Sequence, residues 1–172
     1  MSENNGTTMT SEEIDFNASE FIKKYAELIA SGYTIADLMN IDSEKMEALY
    51  SLAYQNYVTR NFDDALKVFR VLVLYDQTEM KYTMGLAATY QELGEYQKAA
   101  DVYAAAAVQS GLVDPEPMYF AAICLLKAGR RADAVFSLKS LASMGREGNP
   151  SDEKFKTKGQ NLLKVIEKVK EL

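Results

Sequence analysis

The sequence predicts an all-α fold in which three tandem helical hairpins follow an N-terminal helix and are closed by a C-terminal capping helix. Three observations carry this. Residues of like size recur 34 positions apart: Leu52 and Leu86, Ala53 and Ala87, Phe62 and Tyr96, Ala65 and Ala99, Phe69 and Tyr103. A further copy follows at an offset of 35, from Ala87 to Ala122, Gly94 to Gly129, Ala99 to Ala134 and Tyr103 to Leu138, with the extra residue in the turn Ser110-Gly-Leu-Val-Asp-Pro115. Finally, 172 residues with only 3 prolines and 9 glycines leave long uninterrupted stretches for helix.

Taken in order, residues 1–10 are polar and expected to be disordered, and residues 11–42 form an N-terminal helical segment. Thr10 to Glu13 has the spacing of a capping box and opens a helix ending near Ala30, before Gly32. A short helical turn is expected over Thr34 to Asn40. The repeats occupy 43–144, as hairpins at about 43–75, 78–109 and 115–144. Within them, Ala53, Ala87 and Ala122 on first helices and Ala65, Ala99 and Ala134 on second helices are small enough to let neighbouring helices approach closely. Phe69, Tyr103 and Leu138 fill the gaps between hairpins. Asn61, Gly94 and Gly129 are expected at tight turns that need left-handed backbone, and Arg131 stands where the earlier copies have Phe62 and Tyr96. Residues 145–172 supply the cap: a loop over Gly145 to Asn149, a helix start near Pro150, and an apolar stripe of Leu162, Leu163, Ile166 and Val169.

Charge and cysteine content narrow the function. The net charge is −6; residues 1–60 carry four basic and ten acidic side chains, and residues 139–172 carry eight and five. Duplex nucleic acid is a poor partner for such a chain, and the lysine-rich end reads as a solvated helix face. The lone Cys124, on an apolar helix without basic neighbours, is expected to be a buried thiol rather than a nucleophile. No stretch has the length and apolarity of a membrane span, so direct membrane insertion is not expected, and a reducing cytoplasmic setting fits. There is no histidine, no phosphate-binding glycine loop and no paired-acid motif: Asp63-Asp64 and Glu12-Glu13 lie at helix starts, where acids complement the helix dipole. No catalytic residues, metal or cofactor are assigned, and the chain is not read as an enzyme.

A 34-residue period of paired helices resembles the tetratricopeptide repeat. That resemblance implies a concave surface lined by the first helix of each hairpin: Glu47, Tyr50, Tyr54, Tyr57, then Lys81, Met84, Ala88, Gln91, then Glu116, Tyr119, Ile123 and Leu126. Tyrosines give large contact area with few rotatable bonds, which suits a surface that holds a peptide. Gly85 is expected to leave room for a ligand backbone. The lysines and asparagines of the carboxylate clamps that read chaperone C-termini are missing, because the matching sites are Tyr50, Tyr54, Gly85, Glu116 and Phe120. An extended, apolar-anchored peptide fits better.

The runs Leu49-Tyr-Ser-Leu-Ala-Tyr54, Phe62-Asp-Asp-Ala-Leu-Lys-Val-Phe69, Leu74-Tyr-Asp76, Gly85-Leu-Ala-Ala88 and Gly32-Tyr-Thr-Ile-Ala-Asp-Leu38 resemble the class II chaperones of bacterial type III secretion, from about Glu20 to Leu141. The resemblance implies a bacterial cytoplasmic chaperone that keeps hydrophobic translocator proteins soluble, holding extended segments in the groove. By matching positions its pocket residues would be Tyr50, Tyr54, Tyr57, Met84, Ala88 and Tyr119, in a groove whose other expected residues include Lys81, Gly85, Gln91 and Ile123. It also implies a homodimer when free, through the N-terminal helix, here Ile14, Phe16, Phe21, Ile22, Tyr25, Leu28 and Ile29. A generic tetratricopeptide adaptor or scaffold in another assembly or regulatory system is the rival reading.

Overall fold

The computed structural model describes residue 20 and residues 23–169, and every regular element among them is helical. A first helix, α1, covers 23–30. A single turn follows, α2 (Ile35–Leu38), closed by a capping box in which the Thr34 hydroxyl accepts from the Asp37 amide at 3.1 Å and the Thr34 amide donates to Asp37 Oδ2 at 2.8 Å. Then come three hairpins: α3 (Ser43–Val58) with α4 (Phe62–Tyr75), α5 (Met80–Glu92) with α6 (Tyr96–Gln109), and α7 (Pro115–Lys127) with α8 (Arg131–Leu141). The last helix is α9 (Pro150–Val169). Each helix from α3 to α8 packs on the next in sequence, and α3 also touches α5, so the first helices lie side by side along one surface.

The alanine positions explain this stacking. Ala53, Ala65, Ala87, Ala99, Ala122 and Ala134 are all 0% exposed, so backbones meet there with nothing larger than a methyl between them. Phe69, Tyr103 and Leu138 are buried between hairpins. Leu52 and Leu86 match in sequence but not in burial: Leu86 is covered, whereas Leu52, on the first hairpin, is exposed.

The hairpin turns repeat a single bonding pattern. Asn61 N donates to Asn56 O, Glu95 N to Tyr90 O and Arg130 N to Leu125 O, each closing the end of a first helix across a left-handed residue. In the second and third hairpins that residue is Gly94 or Gly129; in the first it is Arg60, at φ 64°. The expectation for Asn61 is thus corrected by one position. Asn61 has φ −84° and precedes α4, with its side-chain Nδ2 donating to Asp64 Oδ2 at 2.8 Å. A one-residue slip in the repeat register hid a non-glycine residue in a conformation that disfavours side chains.

The α9 cap uses devices outside the repeat. Phe155 and Ile166 are buried against α7 and α8, and Leu162 and Leu163 join them. Asp152, only 1% exposed, accepts from Arg146 N and Nε at 2.8 Å and from Arg146 Nη2 at 2.7 Å, fixing the loop that feeds the helix. This guanidinium pair holds the Asp152 carboxyl at about 2, well below the usual carboxylate range. Arg131, where earlier copies have an aromatic, donates to the Ile166 carbonyl and ties α8 to α9.

Candidate peptide-binding groove

Tyr50, Tyr54 and Tyr57 are spaced four and three residues apart, so they fall on one face of α3. Met80, Lys81, Met84, Ala88 and Gln91 form the matching face of α5. Where these faces meet, the surface opens into a pocket of about 550 Å³, with Phe69 and Tyr103 beneath it and Glu116 and Phe120 of α7 at its far side. The walls are aromatic. Tyr50 lies 6.3 Å from Tyr54 and 6.2 Å from Phe69 between ring centroids, and Tyr103 stacks on Phe120 at 5.5 Å. Tyr54 is 53% exposed, a large ring turned toward solvent at the mouth.

A few polar groups mark the rim. Lys81 Nζ bonds Glu47 Oε2 at 2.6 Å, bridging α3 and α5, and sits 4.9 Å over the Tyr50 ring. That hydrogen bond raises the Lys81 pKa and keeps the amine charged. Glu116 has its carboxyl pushed up by burial and by the Asp114 charge, against the pull of Lys154 and Lys158. Burial likewise raises the Tyr57 and Tyr103 phenols, so neither ionises near neutrality. Cys124 is buried, its thiol donates to Gln91 Oε1 at 3.2 Å, and burial pushes its pKa up to about 11, consistent with a thiol that fixes a groove side chain rather than reacting. Among the described residues no group of His, Cys, Asp or Glu could hold a metal ion, and no helix is long and apolar enough to cross a membrane.

Of the expected groove residues, Tyr50, Tyr54, Tyr57, Lys81, Met84, Gly85, Ala88, Gln91 and Glu116 line this pocket. Tyr119 and Ile123 do not. The Tyr119 ring packs 5.6 Å from Phe155 of α9 with Lys158 Nζ 5.8 Å above it, and Leu126 joins the cluster under α9. The cap thus takes the end of α7 that the repeat pattern assigns to the open surface. The same contacts show that the lysine-rich face of α9 is not wholly solvated, since Lys154 and Lys158 lie over the Phe155 ring. Gly85 also needs a correction. A Cβ built there would fall 2.8 Å from Phe69 Cδ1 and closer still to Cε1 and Cζ, so the space beside it holds a core ring of this chain, not room for a ligand backbone. Phe69 and Tyr103 were missed as lining because large rings on second helices read as filler between hairpins; they are that and the pocket floor as well. Met80 carries a readable signal, four residues before Met84 on the same helical face. On the N-terminal helix, Tyr25 and Leu28 are half-buried and Ile29 is exposed, while Ile14, Phe16, Phe21, Ile22 and the Thr10 to Glu13 box lie outside the described residues.

Comparison with known proteins agrees with this geometry. The tetratricopeptide repeat family matches residues 46–77 and 80–109. Low calcium response locus protein H of Yersinia pseudotuberculosis is 33% identical over 144 residues, covering 84% of either chain. Chaperone protein SicA of Salmonella dublin is 37% identical over 122 residues, covering 69% of this chain and 72% of SicA. Among solved structures, the Yersinia enterocolitica type III secretion chaperone SycD in complex with a peptide of the translocator YopD superposes with a TM-score of 0.67 at 32% identity, covering 76% of this chain and 98% of SycD. With its repeats, its aromatic groove and these relatives, the chain belongs to the class II tetratricopeptide-repeat chaperones of type III secretion.

Proposed function

We propose that the pocket between α3 and α5 holds an extended segment of a hydrophobic translocator protein by its apolar side chains, in the bacterial cytoplasm, and so keeps that client soluble until secretion. The observation that carries this is the cluster of Tyr50, Tyr54, Tyr57 and Met84 around an open pocket, in a chain whose relative SycD is solved with a translocator peptide. A translocator with exposed apolar segments aggregates unless they are covered, and covering a short anchor orders only a limited stretch of chain, which leaves binding reversible. Holding needs no bond-making, so the role is that of a chaperone and not of an enzyme. Titrating a labelled YopD peptide, and the protein that co-purifies with the chain from its native host, tests the site. Tyr54→Ala with Met84→Ala is expected to weaken binding by about 2 kcal/mol or more while the helical circular dichroism persists. Full affinity in that folded variant would place the client elsewhere.

The free chain is a homodimer in this reading, joined through the N-terminal helix with Phe21, Ile22, Tyr25, Leu28 and Ile29 in the contact. The exposure of Ile29 and the apolar spacing of that helix support it. Deleting residues 1–30 is expected to shift the chain toward monomer in sedimentation velocity, and an unchanged dimer would remove this helix from the interface.

A further inference from the structure

Gly85 sits in the middle of α5, where glycine is the poorest helix former after proline. Its absent side chain is used: the Phe69 ring lies against the α5 backbone in the space a Cβ would occupy. The next step of the stack solves the same position in the opposite way. Phe69 corresponds to Tyr103 and Gly85 to Phe120, and there the first helix carries an aromatic that stacks on the second-helix ring at 5.5 Å and 23°. Both steps line the same pocket: at one, two rings stack on each other, and at the other, Phe69 lies alone against the α5 backbone at Gly85.

We infer that the Gly85–Phe69 contact sets the depth of the pocket, and so determines that its deepest part takes a large apolar side chain of the client. This rests on the groove reading above and names the determinant of its selectivity. Any side chain at position 85 must displace the Phe69 ring. The core behind it is filled by Ala65 and Leu72, both 0% exposed, together with the buried Leu86, and a close-packed interior gives little. The direction that can yield is the pocket side, where the half-buried Tyr50 ring stands edge-on to Phe69 and would be pushed toward the opening. A raised floor excludes long anchors first and short ones last.

The test compares the wild-type chain, Gly85→Ala, Phe69→Leu and the double variant, using a labelled YopD peptide and versions with each apolar residue cut in turn to alanine. At one peptide position the wild-type chain is expected to prefer the large side chain at least tenfold. Gly85→Ala should bring that preference below threefold and lower the melting temperature, although alanine favours helix. Adding Phe69→Leu should restore both, because the smaller side chain no longer meets the new methyl. An undiminished preference in folded Gly85→Ala, or no rescue by the second change, overturns the assignment. Should the wild-type chain bind neither the peptide nor its native co-purifying protein, the groove reading fails by itself. The depth assignment is then decided by the crystal structure of Gly85→Ala, where a Phe69 ring still seated against residue 85 contradicts it.

Discussion

Between α3 and α5 the concave surface is open: residue 85 is glycine, the Phe69 ring is sunk, and Tyr54 stands exposed at the mouth. Along α7, beyond the pocket wall that Phe120 and Tyr103 supply, the equivalent surface is covered by α9, with Phe155 packed 5.6 Å from Tyr119 and 5.9 Å from Phe120. The two stretches come from the same positions of the same repeat. Repeat register tells which helix face turns inward; it does not tell whether an element outside the repeat lies on that face.

The largest expected effect breaks the closed end. Phe155→Ala removes a buried ring that touches both Tyr119 and Phe120, and should cost about 3 kcal/mol of stability. In urea unfolding and peptide titration on the same protein, the loss should fall on stability, with affinity for the YopD peptide changed far less than by the Tyr54 and Met84 pair. A loss of affinity as large as that pair's, in protein still folded, would mean that the covered end of α7 belongs to the client site. A second, smaller effect sharpens the comparison through pH. The Asp152 carboxyl has a folded pKa of about 2, below its unfolded value, so its pair with Arg146 stabilises fully above the ordinary carboxylate range and is lost as pH falls through about 2. Asp152→Asn should therefore lower the melting temperature at pH 7, and the gap to wild type should shrink as the pH falls from about 4 toward 2. A gap that stays constant over that window would show that the ionised pair does not anchor α9.

The hairpins were legible because their demands are repeated. Six alanines at matched positions all reach zero exposure, and eight of the nine residues that line the pocket from α3 and α5, all but Met80, follow from the repeat register those alanines set. What escaped was unrepeated or displaced by one residue. Arg60 took the left-handed place expected of Asn61, because nothing in arginine advertises a positive φ. Phe155 and Asp152 occur once, in a helix with no copy to compare, so the cover over Tyr119 left no trace in the periodicity. Gly85 was legible as a gap, but only the structure shows that Phe69 fills it.

The contrast between the open pocket and the outer face of the stack admits one direct measurement. A photo-cross-linking amino acid placed at Tyr54, and in a separate protein at the 74% exposed Phe136 of α8, reports which surface the client touches. With the YopD peptide or the native co-purifying protein, cross-linking is expected from position 54 and only at background from position 136. Cross-linking from position 136 with position 54 silent would contradict a client held in the groove.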